Sequence, residues 1–254
     1  MRAIVVPAAV AALLVLAPSA RADRRAYGVT YEAVTAPKGE LDAESWTTFA
    51  PKGEVEGGPA SRGVRQMIEL EYGITDRWDV ALYNLLDVIT SGDTESGYAG
   101  FKLETRFRPS DRGEWPVDPV LYLEFQQLFR GDARQKYEAK LIVAKDLGNV
   151  NLAANLALEE ERTTEPAWNT EVEYALGASY AISPAWIVGA ELFGKAEKAM
   201  DEIENRSWAG PTVSWAGGGS GPLSGVWVTL AGGAGLGGEA DAYYARAIIG
   251  LQFH

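Results

Sequence analysis

The sequence predicts an all-β chain that closes into a transmembrane antiparallel β-barrel of about 12 strands, after a cleaved signal peptide. Three observations carry that prediction. Runs of alternating apolar and polar residues follow one another from residue 39 to the end of the chain, with turn residues between them. Two distant corners, Tyr72 to Trp78 and Tyr180 to Trp186, share the pattern Tyr-x-Ile-(Thr/Ser)-x-x-Trp and put both aromatics on the apolar face of a hairpin, the composition of a membrane-surface belt. Beyond the leader, no apolar run approaches the roughly 18 residues that a spanning helix needs, so only a closed barrel could cross a bilayer.

Taken in order, residues 1–22 are expected to be the signal peptide. Arg2 supplies the positive start, Ile4 to Pro18 the apolar stretch, and Ala20-Arg21-Ala22 the small-residue cleavage site. Residues 23–38 are expected to be an extended N-terminal segment, periplasmic or tucked inside, because counting it as a strand would make the number odd. Residues 39–254 form the barrel, with strands at 39–50, 62–74, 77–90, 95–108, 117–130, 134–146, 149–161, 168–182, 185–198, 205–216, 222–233 and 240–253. Short turns at 75–77, 109–113, 146–148, 183–185 and 217–221 fall on the side of both termini, so both aromatic corners belong to one belt. The opposite loops are 51–61, 91–95, 131–134, 161–167, 194–205 and 233–239; Ala196, Met200 and Ile203 stand at helical spacing and predict one helical turn within 195–204. Ala-Pro-Lys-Gly-Glu occurs at 36–40 and again at 50–54, read as two similar turns around the first strand.

The two faces of the strands differ in chemistry. The belt is expected at Tyr72, Trp78, Phe107, Tyr180, Trp186 and Phe253. The other parity carries Arg65, Glu69, Glu71, Asp79, Lys102, Glu104, Arg106 and Glu124, then Lys136, Glu138, Lys140, Glu159, Glu171, Glu173, Glu191 and Arg246, expected to line a lumen. A soluble sandwich would turn the same apolar face inward. Aromatics at strand ends, the large strand number and the last strand favour the barrel.

Several chemistries are excluded by composition. Without Arg2 and Arg21 the formal charge goes from −12 to −14, against a nucleic-acid partner. There is no cysteine, hence no disulfide or thiolate chemistry. The single histidine is His254, so neither a Ser-His-carboxylate triad nor a His/Cys metal site is available, and no cofactor or metal is expected. Gly233 to Gly238 matches G-x-G-x-x-G but is followed by a strand, so it reads as a flexible loop. Glu69/Glu71 and Glu171/Glu173 could suggest a glycosidase pair, yet Lys102-x-Glu104-x-Arg106 and Lys136-x-Glu138-x-Lys140 intersperse cations on the same face, which suits cross-strand ion pairs better than catalysis.

The last strand places Tyr243, Ala245, Ala247, Ile249, Leu251 and Phe253 on one face, followed by His254. It resembles the closing strand of bacterial outer-membrane barrels, which ends on an aromatic that the outer-membrane assembly machinery recognises. Pro37 to Trp46 and Glu69 to Tyr83 resemble a large, poorly characterised group associated with meta-pathway phenol degradation and presumed to be transporters. The resemblance implies a Gram-negative outer-membrane location, the lipid bilayer and assembly machinery as partners, and a passive channel or small-solute transporter. The alternative is a closed structural or docking barrel with an ion-paired lumen.

Overall fold

The computed structural model describes residues 24–51, 63–89, 95–130, 133–163, 168–199, 202–218, 225–237 and 243–253. The leader expected at 1–22 lies outside them. The strands are β1 (Leu41–Ala50), β2 (Gly63–Thr75), β3 (Trp78–Ile89), β4 (Glu95–Phe107), β5 (Asp118–Leu128), β6 (Ala133–Leu147), β7 (Val150–Thr163), β8 (Trp168–Ala181), β9 (Trp186–Ala199), β10 (Glu202–Ala216), β11 (Val226–Gly235) and β12 (Tyr243–Phe253). Each pairs antiparallel with the next, and β12 returns to β1 with Leu41 opposite Phe253 and Phe49 opposite Ala245, so the sheet has no free edge.

Closure turns the usual rule of burial inside out. Leu123, Leu156 and Leu121 are 59%, 58% and 54% exposed on the outer wall, while Glu69, Asp79 and Asp87 are 0% exposed within. A water-soluble sandwich cannot present its largest aliphatic side chains outward and hide its carboxylates. This is the surface of a barrel whose solvent is hydrocarbon.

Two local expectations are corrected. Residues 195–204 hold no helical turn among the described residues: β9 and β10 extend through this stretch, with Glu202 opposite Ala199, Glu204 opposite Glu197 and Asn205 opposite Ala196; Met200 and Asp201 lie outside the described residues. One turn of helix has too few internal hydrogen bonds to offset its nucleation cost, whereas extending a hairpin adds ladder bonds to strands already in place. Likewise Gly233, Ala234 and Gly235 belong to β11 rather than to a loop, paired with β10 and β12. Several hairpins therefore reach further than the alternation alone suggested, β7 to Thr163 and β6 back to Ala133.

The interior is filled from the end where the short turns cluster. Residues 24–36 leave β1, enter the lumen and run back down to the same end. Gly39 makes the corner with φ 83°, a left-handed conformation that favours glycine, and its N–H donates to Gly73 O at 2.8 Å. The segment is irregular, and non-helical backbone at this depth is tolerable only when protein surrounds it and meets its polar groups. Both conditions hold. Ala26, Tyr27, Ala33 and Ala36 are at most 1% exposed, and two of the buried hydrophobic clusters form where this segment meets the wall.

Candidate functional site

The candidate site is the lumen together with the N-terminal segment, hereafter the plug. The inward wall begins as a set of ion pairs, some across strands and some along one strand. Arg65 on β2 holds Asp87 on β3 through two hydrogen bonds, 2.7 and 2.8 Å. Arg106 on β4 reaches Asp79 at 2.8 Å, bonds Glu71 on β2, and lies 3.5 Å from Glu104. Lys102 lies 2.9 Å from Glu124 and 3.4 Å from Glu104. Lys136 pairs with Glu159 and Glu161 at 2.7 and 2.9 Å, Lys140 with Glu138 at 3.0 Å, and Lys195 with Glu171 at 2.9 Å. Glu173 stands beside Glu159 and Glu171. Such groups persist away from bulk water because each charge has a close counter-charge or donor.

Several of these carboxylates grip the plug. Glu191 on β9 accepts the backbone N–H groups of Val29 and Thr30 at 2.9 and 3.0 Å and the Tyr244 hydroxyl at 2.8 Å. Asp79 accepts the N–H of Ala36 at 2.9 Å. Asn155 exchanges both of its amide groups with the backbone of Tyr31, at 2.7 and 3.0 Å, and Tyr27 donates its hydroxyl to Asn151. Arg246 donates to Gly28 O at 2.8 Å and to Thr48 Oγ1 at 2.8 Å. Glu104 accepts the hydroxyls of Tyr83 and Tyr122 at 2.8 and 3.1 Å and faces that of Tyr31. A strand's own N–H groups are satisfied by its neighbours; the plug has no neighbouring strand, so wall side chains take that role.

The inward charged residues named from the sequence thus all sit on the lumen side, Glu124 and Lys136 being half-buried there. Their assignment as a solute path is separate from that placement. On the outer wall, Tyr72, Trp78, Phe107, Tyr180, Trp186 and Phe253 are each between 42% and 51% exposed. They neighbour one another near the turns: Leu41 sits between Tyr72 and Phe253, Trp78 opposite Phe107, and Trp186 opposite Trp215. Missing from the sequence reading are the inward aromatics Trp46, Tyr83, Tyr122, Phe193, Trp208, Trp227 and Tyr244, all buried. Position parity alone would have found them, since Tyr83 shares its face with Asp79 and Asp87.

Two carboxylate trios, Glu44/Glu69/Glu71 and Glu159/Glu171/Glu173, bring oxygens within 4.8 Å of one another. Oxygen ligands suit a hard cation, but the protein's own cations already stand there: Arg25 and Arg106 at the first, Lys136 and Lys195 at the second. What the arrangement does chemically is neutralise charge and hold a segment of chain.

No family profile and no curated protein matches the chain. Solved structures do. An outer membrane channel from Pseudomonas putida F1 superposes with a TM-score of 0.66 at 13% identity, covering 87% of this chain and 98% of that one. The KdgM porin superposes with a TM-score of 0.57 at 7% identity over 84% and 98% of the two chains, and the NanC porin with 0.53 at 9% over 84% and 99%. At these identities the likeness is one of fold: a closed barrel of the outer-membrane type.

Proposed function

We propose that the chain is a passive channel for small solutes in a Gram-negative outer membrane, with the short turns in the periplasm and the N-terminal segment as a plug that must shift for solute to pass. The carrying observation is the combination of an apolar outer wall with a charged lumen in which the chain's own residues 24–36 lie buried. A barrel of about 8 strands is filled by its side chains and one of 16 or more leaves an open channel. Twelve strands leave a bore that wall side chains do not fill alone, and here a segment of chain takes up the remainder. The structural neighbours being channels and porins supports the same reading, as does the resemblance at residues 37–90, which points to transport and specifies no solute. Export would use residues 1–22 and insertion the apolar last strand. No catalytic role is proposed. Carboxylates outnumber cations along the lumen, so an open pore would prefer cations.

The second reading, a closed structural barrel, is favoured by the density of ion pairs and by the plug itself. Planar-bilayer recordings of the full chain and of a variant lacking residues 24–35 separate the two. A channel predicts small or rare conductance for the full chain and a steady, cation-preferring conductance for the variant. A variant that inserts, resists heat in detergent gels as a folded barrel does, and carries no current would leave the structural reading standing.

A further inference from the structure

One plug side chain is held differently from the rest. Arg25 reaches into a slot on β1 and β2, where its Nε lies 3.2 Å from Glu44 Oε2 and its Nη2 3.7 Å from Glu69 Oε1. Its guanidinium carbon stands 4.5 Å over the Trp46 ring, with the Tyr31 ring of the plug 4.7 Å away. The Trp46 indole N–H donates to Glu44 Oε2 and to Glu69 Oε2, 2.9 Å each, which fixes both carboxylates at the edge of the ring. Glu44, Trp46 and Glu69 are all buried, and all three belong to the wall. Among the described residues Glu69 Oε1 has no hydrogen-bond partner, and that Arg25 nitrogen stands 3.7 Å from it. Glu71, the third carboxylate of the trio, is engaged by Arg106.

An aromatic face with two buried carboxylates at its rim is what recognises a planar cation: the ring takes the face of the guanidinium, the carboxylates its edge N–H groups. We propose that Glu44, Trp46 and Glu69 form a binding site for guanidinium-bearing solutes, which Arg25 occupies as an internal stand-in. Two observations beyond the acidic cluster point to a ligand: a guanidinium already lies in it, and a buried carboxylate oxygen faces that group without a hydrogen bond. A cavity of about 20 Å³, room for one water, borders Arg25, Glu44 and Glu71. The site deepens the channel reading, on which it rests for how a solute arrives. A guanidinium entering from the loop end competes with Arg25 and loosens the plug, so such a solute promotes its own passage.

The test uses the full mature chain in detergent or nanodiscs. Arg25→Ala removes the stand-in but keeps its Cβ, so ethylguanidinium supplies the missing atoms. Titration calorimetry is expected to find saturable one-to-one binding to Arg25→Ala, none of the neutral isostere ethylurea, and at least about tenfold weaker binding when Glu69→Gln is added. Should Arg25→Ala fail to fold, a spin label at Val34→Cys, in a chain with no other cysteine, reports the same competition in the native plug. Ethylguanidinium then mobilises the label, and Glu69→Gln removes the response. Absence of saturable binding, or binding indifferent to Glu69→Gln, overturns the site. Binding without any conductance in the plug-deleted chain keeps the site and sinks the channel; conductance without binding does the reverse.

Discussion

The lumen has two unlike sides. On β2, β3 and β4 the inward positions carry Glu69, Glu71, Asp79, Tyr83, Glu104 and Arg106, long side chains that meet one another across the strands. On β8, β10 and β11 the inward positions facing the plug include Ala175, Gly177, Ser179, Ser214, Thr229 and Ala231, which stop close to the wall, while Trp208, Trp227, Glu171 and Glu173 fill other levels of the same strands. Tyr27 of the plug lies against the second side. A Cβ added to Gly177 would stand 2.7 Å from the Tyr27 ring, far inside contact distance. Tyr27 and Gly177 therefore fit only because neither can be larger. A barrel of fixed strand number encloses a roughly fixed bore, so where the wall residues are small a segment of chain can lie, and where they are long and charged they fill the space themselves. The position of the plug is written in the size of residues on the far wall as much as in the plug.

The strongest way to break this contrast is to cut the charged side. Arg106→Ala leaves Glu71 and Asp79 buried without the cation that holds them, and Glu104 loses one of its neighbours. Removing one member of a buried ion network costs about 3–5 kcal/mol. Urea unfolding in micelles should show a loss of unfolding free energy of that size, read from the lowered midpoint and the m-value, larger than for any single truncation on the small side. Equal shifts on both sides would mean that the ion network is no more than packing.

Enlarging the small side should act on the plug rather than on the barrel. Gly177→Leu drives side-chain atoms into the Tyr27 ring, an overpacking cost of roughly 1–3 kcal/mol that the plug can escape by leaving. The expected outcome is a barrel as heat-resistant as the parent, with residues 24–36 cut by added protease and with conductance approaching that of the plug-deleted chain. Protection unchanged from the parent would show that the fit at Gly177 does not hold the plug. The opposite change, the truncation Thr229→Ala, loosens the plug more mildly by removing the hydroxyl that hydrogen-bonds the Arg25 carbonyl and contacts the Ser214 hydroxyl. Losing both contacts should cost about 1 kcal/mol in the same unfolding measurement.

Much of the wall was legible because a strand's side chains alternate with period 2, and one reading of parity carries all the way around a closed sheet. Glu69, Glu71 and Asp79 could be placed inward from the sequence by that rule. Parity alone does not say which apolar residues face outward, and taking all of them as outward misses Tyr83, Tyr122, Trp208 and Trp227, which are buried inside the bore. The plug was harder. Residues 24–36 look as strand-like as β1, and what decides their fate is contact with residues more than 100 positions away, Tyr27 with Asn151 and Thr30 with Glu191. The 195–204 hairpin obeys a related rule: local spacing favours a helical turn, and pairing between β9 and β10 outweighs it.

The smallest effect lies outside the bore and sharpens the contrast from the other direction. Arg77 and Asp111, in neighbouring turns, make the same kind of two-bond pair as Arg106 and Asp79, at 2.9 and 2.6 Å, but their side chains are 41% and 66% exposed. The hydrogen bonds from Arg77 hold the Asp111 carboxyl below its ordinary range. A carboxyl whose folded-state pKa is depressed adds stability that is present above its unfolded pKa and is lost as the pH falls through the lowered folded value. In water that contribution is screened and shared with solvent. Following the Asp111 carboxyl carbon by NMR through acid titration should therefore show protonation below the ordinary aspartate range, returning to that range in Arg77→Gln. The unfolding midpoint at neutral pH should stay where it is in the parent. A midpoint shift comparable to that of Arg106→Ala would mean that burial is not what separates the two pairs.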